Sequence, residues 1–121
     1  MIDPDATGCD HFAVHALDPS IAGQLAEDLP RPDFLRIIRT FHDDLTRLTA
    51  ELAAAVRQGD ARGFQRAAHS LAGAAGAVGA LRLEAAARRG MLGAEAPSPA
   101  LAAQIGAEAQ AALVALADLI A

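Results

Sequence analysis

Hydrophobic residues recur along most of this chain at the alternating three- and four-residue spacing that is typical of an amphipathic α-helix. The longest such run begins at Pro32, and its apolar members are Phe34, Ile38, Phe41, Leu45, Leu48, Leu52 and Ala55. These positions form one stripe over about seven helical turns. Because Gly59 and Asp60 supply a helix stop followed by an N-cap, we predict one long helix that ends at this pair.

Capping residues divide the rest of the chain into four further helices. Their predicted ranges are about 18–29, 61–78, 80–92 and 98–120. Pro19 and Pro99 stand in first turns, where proline is tolerated, and Gly79 separates the two middle helices. The pattern predicts an all-α domain over residues 18–121, folded as an antiparallel four-helix bundle with a short additional N-terminal helix. Residues 1–17 lack a helical period and are predicted to form a loosely ordered N-terminal arm.

Composition agrees with a single helical domain. The chain has 121 residues, which is enough for one domain with its own core. Aromatic residues make up 3% of the chain, and Trp and Tyr are absent, so the core must be built from aliphatic residues and Phe. Such side chains suit closely packed helices better than strands. Since each predicted helix has one apolar stripe to bury, we expect a monomer.

Charge argues against several classes of partner. The net charge is −5, and the ten basic residues are all Arg, scattered without a basic cluster. The chain therefore lacks the cluster of basic residues that nucleic-acid-binding and membrane-surface proteins usually carry. The N-terminus is acidic, and no uninterrupted apolar run approaches the roughly 18 residues of a membrane span. From these two features we expect a cytoplasmic protein, and a single Cys, which allows no internal disulfide, fits a reducing compartment.

The segment RAAHSLAGAAGAVGALRL, residues 66–83, places two glycines inside a predicted helix. Each glycine costs roughly 1 kcal/mol relative to alanine in a helix interior. With about 100° per residue, His69 lies about 160° from Leu71 at the centre of the apolar stripe. Gly73 and Gly76 lie on the same side as His69. We therefore predict an exposed histidine beside a bare patch that lets another macromolecule approach the imidazole.

Two arginines share this face. Arg62 and Arg66 lie one to two turns before His69, on the side away from the stripe. A neutral imidazole is a nucleophile at cellular pH, and nearby guanidinium groups stabilise a group of charge about −2 placed on it. An ordinary solvated helix face with a chance histidine is the alternative, and it does not account for the glycines.

The stretch AHSLAGAAGAVGA, residues 68–80, resembles the signature of histidine-containing phosphotransfer (HPt) domains. That signature has an A-H-x-L-K-G core followed by small residues and a second G-A pair. The residues that match in register are His69, Leu71, Gly73, Gly79 and Ala80. The likeness extends over residues 18–120, because the preceding long helix with its GD turn and the following helix also fit the family.

The resemblance implies a phosphoryl carrier without a cofactor of its own. His69 would accept a phosphoryl group from the aspartate of one response-regulator receiver domain and pass it to another. The implied partners are receiver domains and a histidine kinase, while the direction of phosphoryl flow and whether the kinase is a hybrid one do not follow from these residues. Mg²⁺ would be required only on the partner receiver domain.

One position departs from the family pattern. HPt domains usually carry Lys three residues after the histidine, whereas this chain has Ala72 and no Lys at all. We expect Arg66, and to a lesser extent Arg62, to supply the missing charge. The departure also keeps open a second hypothesis, an HPt-like adaptor or histidine-kinase inhibitor that binds without phosphotransfer.

A third hypothesis, a helical hydrolase with His69 as general base, is disfavoured, because no Ser, Cys or carboxylate stands within a turn of His69 on its face.

One further cluster of residues, near the N-terminus, contains side chains that can bind a metal ion. Cys9, His11 and His15 have spacings that would suit zinc if the segment were helical. A fourth ligand is missing, and the segment lies in the predicted arm. We therefore predict no metal site.

Overall fold

The computed structural model describes residues 15–92 and 97–121, and in these ranges the chain forms five α-helices and no strand. They are α1 (Pro19–Asp28), α2 (Arg31–Gln58), α3 (Ala61–Val78), α4 (Leu81–Gly90) and α5 (Pro99–Leu119). The all-α fold is confirmed, and all five predicted helices are present. The main difference in length is at α4, which ends at Gly90 and not at Leu92.

Local capping interactions explain half of the ten described helix ends. Asp18, Asp60 and Ser98 accept side-chain hydrogen bonds from the backbone N–H groups of Ser20, Gly63 and Leu101 respectively. Gly59 and Gly79 end α2 and α3 with φ of 65° and 81°, in the left-handed region that glycine adopts without steric cost. These interactions involve residues close in sequence, so the sequence pattern was sufficient to locate them.

Four of the helices pack in a closed ring. Helix α2 packs against α3 and α5, and α4 packs against the same two helices, which gives the predicted four-helix bundle. Helix α1 is an additional element that contacts α2. The largest fully buried side chains are Ile38, Leu45, Leu52, Leu71, Val78, Leu83, Ile105 and Leu116. Aliphatic side chains therefore form the centre of the core, as the composition predicted.

The helical wheel put Leu71 at the centre of the buried face of α3, but that face extends further toward Ala72 than toward Ala74. Ala72 is buried, with 5% exposure, whereas Ala74 is only half-buried. Small side chains let α3 and α4 approach closely, and Gly90 lies at one of their close contacts. A Cβ on Gly90 would lie 3.0 Å from Cβ of Ala68 and 3.2 Å from Cε2 of Phe64. Sequence analysis did not single out this glycine.

The N-terminal boundary of the packed domain lies before the predicted one. Residues 1–14 of the predicted arm lie outside the described residues. Leu17, however, is buried, with 7% exposure, and belongs to the core. The backbone N–H of Asp18 donates to the carbonyl of Gly79 at 2.7 Å, which ties this segment to the α3–α4 turn. Assigning Leu17 to the arm was therefore wrong, because its burial depends on a contact with distant residues.

Helix α5 is the most apolar long element in the described ranges. Over 18 residues its mean hydropathy reaches 1.4, so length and composition would allow it to cross a membrane. Its buried residues are Ile105, Ala109, Ala112 and Leu116. They belong to the bundle core, and the core helix of a bundle meets the same criterion. The hydropathy of α5 is therefore weak evidence for a membrane span.

Candidate functional site

His69 lies in the middle of α3 and projects away from the core. Its side chain is exposed, whereas Ala68 and Leu71 beside it are fully buried. The orientation agrees with the helical wheel. His42 differs, since it is half-buried at the edge of the core with Nδ1 3.8 Å from Oδ1 of Asp43.

An open depression runs along α3 on one side of His69. The residues that line it are Arg62, Gln65, Arg66, His69 and Ser70. Both arginines are exposed, and within residues 15–92 and 97–121 neither takes part in an ion pair. The structure thus brings together the histidine and the two arginines that the sequence singled out.

A second depression lies between α3 and α4 on the other side of His69. The residues that line it are His69, Ala72, Gly73, Gly76, Ala77, Glu84, Arg88 and Met91. The two depressions have similar volumes, about 490 and 470 Å³, so size does not distinguish them. Apart from His69, the α3 side of the second depression is made only of Ala and Gly.

The two glycines of this depression have different surroundings. Gly73 is exposed, and a Cβ built on it would have no heavy atom of the neighbouring elements within 4 Å. Gly76 is half-buried, and a Cβ there would lie 3.0 Å from Oε2 of Glu84. Within the described residues, a Cβ at Gly76 would therefore meet the flexible carboxylate end of Glu84, whereas a Cβ at Gly73 would meet no neighbouring atom. A role in partner access stays a prediction for both positions, and Gly76 has an internal neighbour as well.

Sequence analysis missed the ion pair on the α4 side of this depression. Nη2 of Arg88 donates to Oε2 of Glu84 at 2.7 Å, and Nε donates to the same oxygen at 3.3 Å. The Glu84 side chain is 21% exposed and the Arg88 side chain 65%. Their spacing of four residues predicts a pair on one helix face. Their location beside His69 depends on how α4 packs against α3, which the spacing does not contain.

Ala72 occupies the position where the HPt signature usually has Lys. It lines the second depression and not the first. Arg62 and Arg66, in contrast, line the first depression. The two predicted phosphate-binding arginines therefore lie on the opposite side of His69 from Ala72.

The three residues considered above as zinc ligands are only partly described. Cys9 and His11 lie outside the described residues, and His15 is half-buried before α1. Within the described ranges no group of three His, Cys, Asp or Glu side chains is arranged to hold a metal ion.

Comparison with known proteins agrees with this geometry. The family model described as "Hpt domain" matches residues 36–118. Among solved structures, histidine-containing phosphotransfer protein B (HptB) from Pseudomonas aeruginosa PAO1 is similar, with 27% sequence identity and a TM-score of 0.70. The similarity covers 88% of this chain and 96% of that one. A comparison with curated protein sequences finds no match. Because the family model spans well over half of the chain, the protein belongs to the Hpt domain family.

Proposed function

We propose that this protein is a phosphoryl carrier in a phosphorelay and that His69 is its phosphoacceptor. The observation that carries the proposal is the position of His69, which stands in register with the HPt signature and is exposed on α3. Membership of the Hpt family supports the reaction class, since this family carries phosphoryl groups in two-component signalling. The exposed site supports a macromolecular phosphodonor, because the imidazole does not lie in a closed pocket.

The transfer step needs only a nucleophile from this chain. The unprotonated ring nitrogen of His69 attacks phosphorus of an aspartyl phosphate on the receiver domain. The N–P bond forms as the acyl P–O bond breaks, and the electron pair of that bond leaves with the aspartate carboxylate. The proton on the other ring nitrogen stays on the imidazole or passes to water. Onward transfer reverses these bond changes on a second aspartate, and any Mg²⁺ belongs to the receiver domain.

Arg66 and Arg62 are proposed to stabilise the phosphorylated state from the first depression. Both carry charge on the face of His69, but exposed ion pairs contribute only about 0 to 1 kcal/mol. Arg66→Ala should therefore shorten the lifetime of phosphohistidine by no more than about fivefold. Arg57→Ala, which removes an exposed arginine from α2, is the matched control and should leave the lifetime unchanged. If phosphohistidine has the same lifetime in Arg66→Ala as in the wild type, Arg66 does not stabilise the phosphorylated state.

The proposed partners are a receiver domain and a histidine kinase, and the carrier is proposed to be a cytoplasmic monomer. The bare backbone at Gly73 would let a receiver domain bring its aspartate to the imidazole. The adaptor hypothesis uses the same surface without transfer. It is favoured by Ala72, because the phosphoryl group would find no cation at that position of α3.

A transfer assay separates the two hypotheses. A panel of purified receiver domains, each carrying ³²P on its aspartate, is mixed with the protein, and binding is measured in parallel by calorimetry. Acid-labile, alkali-stable label on the protein supports the relay. Binding to a receiver domain without any transfer, across the whole panel, would overturn the relay and support the adaptor.

A further inference from the structure

We propose that Arg88, on α4, binds the phosphoryl group of phosphorylated His69 from the second depression. The inference rests on the proposed function, and it assigns a phosphate-binding residue that the sequence pattern did not indicate. Arg88 and His69 line the same depression although they belong to different helices.

The composition of the depression limits the source of positive charge. Between His69 and α4, the α3 residues that line it are Ala72, Gly73, Gly76 and Ala77. None of these side chains can donate a hydrogen bond to phosphate. Among the described residues of the lining, Arg88 is the one that carries a permanent positive charge, so it is the charge that a phosphoryl group pointing toward α4 would meet.

The hydrogen bonds of Arg88 leave donors available for an anion. Its Nε and Nη2 groups both donate to one oxygen, Oε2 of Glu84. A guanidinium has five N–H donors in a planar fork, so the Nη1 edge remains to be used. Arginine can therefore keep its bond to Glu84 while it donates to a phosphoryl oxygen. Charge-assisted bonds of this kind are among the stronger hydrogen bonds in proteins.

The ion pair with Glu84 restrains the Arg88 side chain beside the depression. The Glu84 side chain is only 21% exposed, and its carboxylate lies over Gly76. The absence of a Cβ at Gly76 makes room for this carboxylate. Holding the guanidinium by its Nε edge reduces the conformational entropy that Arg88 would lose on binding phosphate. Without Arg88, the carboxylate of Glu84 would face the phosphoryl group and repel it.

The test measures the protonation of the phosphoryl group itself. The 121-residue chain is phosphorylated with phosphoramidate, and the ³¹P chemical shift of phosphohistidine is followed against pH. The resonance of phosphorylated His69 is identified by its absence in His69→Gln. A neighbouring cation favours the dianion, so it lowers the pKa of the phosphoryl group. The Glu84 carboxylate that Arg88→Ala leaves unpaired would also raise this pKa, so the Arg88→Ala change is measured again in a Glu84→Gln background. In that background only a direct interaction of Arg88 with the phosphoryl group moves the pKa.

In Arg88→Ala we expect the phosphoryl pKa to rise by up to about 0.7 pH unit, the size expected for a partly exposed ion pair. Arg88→Lys keeps the charge and should recover part of the shift. Arg89→Ala is the matched control, because Arg89 is exposed on the same helix but does not line the depression, and it should not change the pKa. Circular dichroism confirms that each variant is folded.

The outcomes separate this inference from the proposed function. If phosphorylated His69 titrates identically in the wild type and in a folded Arg88→Ala variant, Arg88 does not bind the phosphoryl group, and the carrier function stands. An equal shift in Arg89→Ala would also overturn the inference, because the effect would then be a general one of charge. If the wild type gains no resonance that depends on His69, the proposed function and this inference both fail.

Discussion

An imidazole nitrogen is nucleophilic in any histidine, so selectivity between histidines must come from exposure and neighbouring charge. At the residue scale, His69 and His42 illustrate the difference. His69 is exposed between two depressions that carry arginines, whereas His42 is half-buried at the edge of the core beside Asp43. A receiver domain can approach the exposed His69 directly, whereas the Asp43 carboxylate beside His42 would repel an incoming phosphoryl group.

This argument predicts that His69→Gln abolishes acid-labile phosphate on the protein. Substitutions at exposed positions usually change stability by less than about 0.5 kcal/mol, so helicity and Tm should stay close to the wild type. The label is measured after transfer from a phosphorylated receiver domain. His42→Gln serves as the control and should keep full labelling. Undiminished label in the His69→Gln variant would contradict the assignment of the acceptor.

At the scale of the element, helix α3 contains Gly73, a position where the packing of the helix does not require a glycine. Gly73 has open space where a side chain would stand. Gly73→Ala should therefore stabilise the protein by up to about 1 kcal/mol, since alanine has the higher helix propensity. Gly73→Leu should keep the fold but slow phosphotransfer sharply, because its side chain would rise beside the imidazole. Transfer rate and Tm are measured on the same variants.

A chemical control separates access from reactivity in these variants. Phosphoramidate is small, so it should still phosphorylate His69 in Gly73→Leu at nearly the normal rate. Normal exchange of phosphate between a folded Gly73→Leu protein and its receiver domain would contradict a role of Gly73 in access.

Because α3 and α4 are in close contact at Gly90, replacing Gly90 by Ala should lower the stability of the protein, whereas Gly73→Ala should raise it. A Cβ there would meet Ala68 and Phe64, which are both buried and have little room to move. Overpacking of this kind costs about 1 to 3 kcal/mol, which outweighs the gain in helix propensity. Gly90→Ala should therefore destabilise the protein by about 1 kcal/mol, measured by urea unfolding. A Gly90→Ala protein as stable as Gly73→Ala would show that the helices do not approach this closely.

At the scale of the whole molecule, the segment before α1 closes one end of the bundle. Leu17 is buried in the core, and Asp18 is hydrogen-bonded to Gly79 in the α3–α4 turn. The same turn follows the helix that carries His69. The N-terminal segment therefore contributes to the stability of the functional helix.

We expect Leu17→Ala to lower the free energy of unfolding by about 2 to 3 kcal/mol, the lower part of the range for truncating a buried leucine. Leu92→Ala is the matched control, because Leu92 is 78% exposed, and its change should stay within about 0.5 kcal/mol. Both values are measured by urea unfolding. If the two variants have equal free energies of unfolding, Leu17 does not contribute to the core and belongs to a loosely ordered arm.

The sequence by itself determined the features that depend on residues within a turn or two of each other. Helix ends follow from caps such as Asp60 and Gly79, which act on backbone groups three or four residues away. The exposed face of His69 follows from the helical period alone. The HPt signature is likewise contiguous, so the family was accessible before the fold.

Only the tertiary structure decided which residues meet across helices. Arg88 and Glu84 reach the depression of His69, Gly90 lies against Ala68, and Leu17 enters the core. Each of these placements depends on the rotation and spacing of two packed helices. The hydrophobic pattern shows which face of a helix is buried, but it does not show which residues of another helix lie opposite. Contacts between helices arise from side-chain volumes summed over the whole interface, so no short stretch of sequence contains them.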